Sequence, residues 1–220
     1  MTGTSRSVRE VELDRGDDAK PLLELSFLHH AGRGIAGLNL EYTLTRPPIG
    51  VSDSNGDLDL TPPPAGIDQV ISIIGAGAAT TIIDANQIDR IFRIEQARTA
   101  VLTGLTLRNG FTTSAGNIYN GGSLTVNQSI ISGNRAEFDG GGIYNAGSLT
   151  VNQSTISDNQ TMLTGGGIYN ISSLTVSQST ISGNQGNFGG GLFNRGSLIV
   201  SNSTISQNSA NINYLPLIMR

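Results

Sequence analysis

From residue 118 onward the chain repeats itself. Ile118, Ile143, Ile168 and Leu192 lie 25, 25 and 24 residues apart; Leu124, Leu149, Leu174 and Leu198 keep the same steps, as do Ile131, Ile156, Ile181 and Ile205. The unit reads GGGIYN-x-GSLTVNQSTISGN and is followed by a variable connector of about six residues. A 24-residue step carries the pattern upstream, from Ile118 to Ile94, Val126 to Leu102, Ile131 to Leu107 and Leu107 to Ile83. Such self-similarity means that one small structural unit is stacked many times. Within the unit the local period is two. Leu149 and Val151 face one way and Thr150 the other, and Ile156 opposes Thr155 and Ser157. That alternation belongs to extended chain. Each run is three to five residues long and is cut off by Asn, Gly and Ser, which favour turns. Val, Ile, Thr, Ser, Asn and Gly are poor helix formers, which excludes a helical solenoid. Three short strands in every ~25 residues describe one coil of a single-stranded parallel β-helix, an all-β fold. The preference of parallel crossovers makes it right-handed.

In this geometry coils stack about 4.8 Å apart. Three aliphatic ladders then point inward: Ile94-Ile118-Ile143-Ile168-Leu192, Leu102-Val126-Val151-Val176-Val200 and Leu107-Ile131-Ile156-Ile181-Ile205. One coil holds too few aliphatics to offset the entropy of ordering its backbone, so folding is a property of the stack. Two asparagine columns, Asn120-Asn145-Asn170-Asn194 and Asn134-Asn159-Asn184-Asn208, read as corner residues that tolerate unusual backbone angles and hydrogen-bond up the column. The glycine runs 140–142, 165–167 and 189–191 read as tight corners where no Cβ fits.

Composition acquires meaning only beside the repeat. Charged residues are 14% of the 220, against about 25% in ordinary domains. Residues 1–98 carry 14 of the 17 acids and 9 of the 13 Lys and Arg. The second half is nearly uncharged and, without its period, would pass for a low-complexity linker. The net charge of −4 argues against nucleic acid, whose phosphates require a clustered basic surface. The lack of cysteine excludes a disulfide scaffold, a thiolate metal site and a Cys nucleophile. No run approaches the ~18 apolar residues of a membrane span. The opening MTGTSRSVREVELDRGDDAK has no apolar stretch of the kind an export signal needs. We divide the chain into an atypical or truncated N-terminal segment of strand or cap character (1–55), the β-helix (56–208) and a C-terminal cap or tail (209–220).

Few residues invite chemistry. A glycosidase requires two carboxylates roughly 5–10 Å apart, and a lyase requires a carboxylate cluster for Ca²⁺. The regular coils hold only Glu137 and Asp139, which share one connector, and Asp158, on a different corner one coil up. Asp84, Asp89, Arg90, Arg93 and Glu95 form the densest charged group, read as a solvated surface of the first coil. His29-His30 are adjacent, so on a strand they point apart and chelate one metal poorly. We expect no metal, no cofactor and no catalytic residue. Arg15-Gly16-Asp17 and Gly75-Ala76-Gly77 are too short to carry a site, and the second reads as a turn.

The candidate ligand-binding residues are Tyr119, Tyr144, Tyr169 and Phe193. Each follows an inward Ile or Leu, so alternation turns it outward, and one per coil would make an exposed aromatic strip about 15 Å long. Such a strip suits sugar rings or an apolar protein surface. The competing reading is plain ladder stacking, or cover by the connectors that carry Phe138, Leu163 and Phe188. Thr155/Ser157, Thr180/Ser182 and Thr204/Ser206 form an outward hydroxyl array, interrupted at Ile130, that is a solvated face or an ice- or polysaccharide-binding one. Asn127, Asn152, Asn170 and Asn202 match the glycosylation sequon only because the repeat is rich in Asn and Ser.

GGGIYNAGSLTVNQSTISDNQ resembles the repeats of bacterial right-handed parallel β-helix surface proteins of the polymorphic outer membrane protein type. Residues 56–94 are similar to the segment that opens the β-helix in CSLREA-domain surface proteins, although the C-[ST]-L-R-E-A box is absent. The tail NYLPLIMR resembles the short apolar ends of some secreted bacterial proteins; by composition it is a cap over the last coil. The resemblance implies a pectin-lyase-like solenoid, located at the cell surface or outside the cell. It further implies an adhesin-like, non-catalytic module that binds glycans or partner proteins through its wall or connectors. A carbohydrate-active enzyme is the alternative and ice binding the third. Fold alone does not choose among them.

Overall fold

The computed structural model describes residues 41–43, 58–60 and 70–210. These form a β-solenoid of parallel strands in coils of about 25 residues, with no helix among the described residues. Four walls run its length. The first holds Leu58–Leu60, Phe92–Ile94, Ile118–Asn120, Ile143–Asn145, Ile168–Asn170 and Leu192–Asn194. The second, of five-residue strands, holds Val70–Ile74, Thr99–Thr103, Ser123–Asn127, Ser148–Asn152, Ser173–Ser177 and Ser197–Ser201. The third runs from Glu41–Thr43 through Ile82–Asp84, Thr106–Arg108, Ile130–Ser132, Thr155–Ser157 and Thr180–Ser182 to Thr204–Ser206. These are the three walls the alternation predicts. The structure adds a fourth, a two-residue ladder inside the connectors: Phe111–Thr112, Arg135–Ala136, Gln160–Thr161, Gln185–Gly186 and Ser209–Ala210. Two residues are too few for alternation to mark, so this wall is silent in the sequence.

Register follows the repeat in the regular coils. Ile143 pairs with Ile118 and Ile168, Val151 with Val126 and Val176, and Ile156 with Ile131 and Ile181. All of these side chains are fully buried and form one continuous core. Leu102 sits below Val126 and Ile83 below Leu107, as expected. The first ladder is corrected at its base: Phe92, not Ile94, lies below Ile118, and Ile94 lies below Asn120. The turn after Ile94 spans the four residues 95–98, with Ala97 at φ 63° and the Arg98 amide donating to the Glu95 carbonyl, whereas Gly121-Gly122 suffices one coil later. A uniform 24-residue step cannot see those two extra residues.

Three of the corners between walls carry a polar ladder each. Asn120 Nδ2 donates to Asn145 Oδ1 (2.7 Å), Asn145 to Asn170 (2.7 Å) and Asn170 to Asn194 (2.6 Å). In the other asparagine column, Asn134, Asn159 and Asn184 each donate both the backbone amide and Nδ2 to the next Oδ1 above. A third ladder, unnoticed in the sequence, is serine: the amides of Ser129, Ser154 and Ser179 donate to the Oγ of the next serine, each at 3.1 Å. The expectation that the column asparagines themselves adopt unusual angles is corrected. The left-handed backbone falls one residue earlier, on Gln128, Gln153, Gln178 and Asn202 before the serines, and on Gly133, Asp158, Gly183 and Gln207 before the asparagines. That turn aims the following side chain inward, where serine or asparagine satisfies the curved backbone; one coil below Ser129, after Gly104 at φ 67°, the place is held by the buried Leu105.

The asparagine column also has a built lower end. Below Asn134 the ladder reaches Gly110, which has no side-chain amide to offer; the Gly110 backbone amide and Asn117 Nδ2 donate to Asn134 Oδ1 at 2.7 and 2.6 Å. Asn117 holds the position that Gly142 and Gly167 occupy in later coils, where a Cβ would press on the Asn159 or Asn184 amide and on the glycine carbonyl above.

Candidate functional site

The aromatic column is real, but it is not an exposed strip. Tyr119 and Tyr144 stack with centroids 5.5 Å apart, Tyr144 and Tyr169 tilt at 4.9 Å, and Tyr169 and Phe193 stack at 5.6 Å. Tyr169 is buried; Tyr119, Tyr144 and Phe193 are half-buried. Register continues the column downward to Arg93, whose guanidinium lies 5.4 Å from the Tyr119 ring centroid while Nε donates to Glu95 Oε1 at 2.6 Å. At the ~4.8 Å rung spacing, rings one per coil cover each other's faces, so alternation turned these side chains outward without making their faces accessible.

Exposed apolar surface lies instead on the neighbouring connectors. Phe138, Met162 and Leu163 are all exposed, and Phe188 is half-exposed. Their backbones are in register: Thr164 bridges to Asp139 and to Phe188, the Thr164 amide donates to the Phe138 carbonyl and the Phe188 amide to the Leu163 carbonyl. Thr164 Oγ1 also donates to Asp139 Oδ1. The connector returns to the aromatic wall through Gly140, at φ 67°, which brings Asp139 near Tyr144. Burial, then the neighbouring Tyr169, Asp139 and Tyr119, raise the Tyr144 phenol above its ordinary pKa. Each connector therefore leads directly into a strand of the aromatic column.

The carboxylates of Asp84, Asp89, Glu95 and Asp139 are spent on structure. Asp84 accepts from Arg108 Nε at 2.7 Å, from Asn109 Nδ2 at 3.0 Å and from the Asn86 amide at 2.8 Å. Burial pushes its pKa up, but the hydrogen bonds from Asn109, Arg108 and Asn86 and the Arg108 charge outweigh it and leave the carboxyl below its ordinary value. Asp89 caps the Arg90 amide, Glu95 holds Arg93, and Asp139 accepts from Thr164. Glu137 and Asp158 are exposed on different corners. Among the described residues no three of His, Asp and Glu come together as metal ligands. Gly77 opens a turn in which its carbonyl accepts from the Thr80 and Thr81 amides, as expected.

The second and third walls each carry an outward hydroxyl column. Thr155/Ser157 and Thr180/Ser182 face outward and half-buried, and Thr204/Ser206 are exposed. The second wall adds an outward column that the sequence reading passed over, Thr125-Thr150-Thr175, with Val101 below and Ile199 above. It is legible as the polar half of S-L-T-V-N. His29-His30 and Arg15-Gly16-Asp17 lie outside the described residues, as does most of the 1–55 segment. No helix among the described residues is long and apolar enough to cross a membrane. Compared with protein-family models, with curated proteins and with solved structures, the chain matches none.

Proposed function

We propose that this protein is a non-catalytic β-helix module of the cell surface or extracellular space, adhesin-like, that binds glycans or partner proteins along one lateral margin. The observation that carries this reading is the exposure of Phe138, Met162 and Leu163 on two successive connectors, whose backbones are in register and run into the strands that carry Tyr144 and Tyr169. Apolar and aromatic side chains held in register on rigid backbone offer a preorganised surface to a sugar's C–H face or to an apolar protein patch. The resemblance of the repeat to bacterial surface β-helix proteins points the same way. The engagement of Asp84, Glu95 and Asp139 in structural hydrogen bonds weighs against a carboxylate pair for glycoside chemistry.

A glycan array probed with the whole chain, beside Phe138→Ser/Leu163→Ser and Tyr144→Ala variants, tests it. Binding is expected in the parent and is expected to fall at least tenfold in the connector double variant, with thermal unfolding unchanged. Binding that survives the double variant rules out this margin, and hydrolysis or elimination of any arrayed glycan rules out the non-catalytic reading.

A further inference from the structure

The stretch from Asp84 to Arg108 holds three acids and four arginines. Arg108 Nε lies 2.7 Å from Asp84 Oδ2, Arg93 Nε 2.6 Å from Glu95 Oε1 and Arg90 Nε 3.9 Å from Asp89 Oδ1. Each acid is thereby matched to one arginine, and Arg98 is the fourth. It is only 9% exposed, and its Nε and Nη1 are out of solvent with no hydrogen-bond partner among the described residues. A guanidinium keeps its charge inside a protein, and a buried charge without acceptors is costly.

The repeat does not call for this arginine. Register puts Gly122, Gly147, Ser172 and Gly196 in the same column, each just before its second-wall strand. Arg98 instead closes the turn 95–98, where Ala97 sits at φ 63° and the Arg98 amide donates to the Glu95 carbonyl. Gln96 and Ala97 in that turn are exposed, so the corner borders solvent while the guanidinium is shielded from it.

We propose that this corner is an anion site, in which Arg98 binds the carboxylate of a small monoacid. The local excess is one positive charge, which a monoanion neutralises and a dianion overshoots. A guanidinium presents planar edges of parallel N–H groups, and a carboxylate is the planar partner that accepts two of them at once. Shielded from water, such a charge-assisted pair is stronger than the same pair on an open surface. The site is independent of the connectors that carry Phe138 and Leu163 and of whatever binds there.

In the full chain the Arg98 Nε–H resonance, identified by its loss in Arg98→Gly, reports on the site directly. Titration with sodium acetate, at an ionic strength held constant with sodium chloride, is expected to shift it saturably. At ten times the dissociation constant so obtained, the unfolding midpoint is expected to rise by about 3–6 °C. Arg98→Gly is expected to fold, since Gly122 and Gly147 hold the same place one and two coils on, and to lose the rise. Arg98→Lys, which keeps the charge but not the planar fork, is expected to bind acetate at least tenfold more weakly. A resonance that acetate does not move overturns the proposal. So does one that sodium sulfate or sodium chloride alone moves equally, or an acetate-dependent rise that survives in Arg98→Gly.

Discussion

Asn159 condenses the logic of the coil into one side chain. Its Oδ1 accepts both the backbone amide and Nδ2 of Asn134, and its own Nδ2 donates to the Ile131 carbonyl and to Asn184 Oδ1, all out of solvent. Asn159→Ala strands two buried donors on Asn134, each costing about 1–3 kcal/mol. Urea unfolding is expected to register a loss of about 2–5 kcal/mol, against within about 0.5 kcal/mol for Asn152→Ala on the outer face. Charge acts at the same scale in the first coils. The Asp84 carboxyl is held below its ordinary value, so the folded state binds its proton less readily than the unfolded one. Its stabilisation is complete above the unfolded carboxylate pKa near 4 and disappears as pH falls through the lower folded value. Acid titration followed by exchange of the Thr106–Arg108 amides is expected to show this loss below about pH 4. Asp84→Asn is expected to abolish the pH step and to be destabilised already at neutral pH. A variant that keeps the step would assign it to another group.

Among the elements, the connector is where folding constraint and candidate function meet. Its walls are set by stacking, but its return to the aromatic wall depends on one left-handed residue per coil: Gly140, Gly165 and Gly189, at φ 67°, 68° and 61°. A Cβ on Gly165 would lie 2.4 Å from the Ile168 carbonyl oxygen. The equivalent residue one coil before Gly140 is Ala115, at φ 63°, so the first regular coil tolerates a side chain at a corner the others keep bare. Gly165→Ala is expected to lose at least the ~1–2 kcal/mol of a left-handed L-residue, read as a lowered unfolding midpoint. An unchanged midpoint would mean that the corner relaxes as it does at Ala115. The turn 95–98 makes the complementary point. Two residues more than Gly121-Gly122 leave strand pairing intact but set Ile94 beneath Asn120, which is how a hydrophobic ladder passes into a polar one.

For the whole molecule the relevant property is modularity, since each coil touches only its neighbours and stability is close to a sum over coils and interfaces. Excising residues 143–167 removes one complete period and returns Ile168 to the place of Ile143 above Ile118. That shortened chain is expected to keep its β circular dichroism and cooperative unfolding at a lower midpoint. Excising residues 143–154 breaks the register of every ladder above and is expected to abolish the cooperative transition. If both excisions behave alike, the stack is not the unit of folding.

The sequence by itself determined the period, the strand alternation and the inward ladders of Ile, Leu and Val, because each is a local pattern repeated in register and a repeated pattern has one economical way to bury itself. Only the tertiary structure decided three things. Which residue stands under which, as at Phe92 and Ile118, depends on turn length rather than on a fixed step. That serine as well as asparagine forms a buried ladder depends on a left-handed turn one residue upstream, which composition does not announce. And whether Tyr119, Tyr144, Tyr169 and Phe193 are a surface depends on their neighbours: alternation fixes direction, but the close coil spacing makes each ring the cover of the next, and exposure passes to the connector tips.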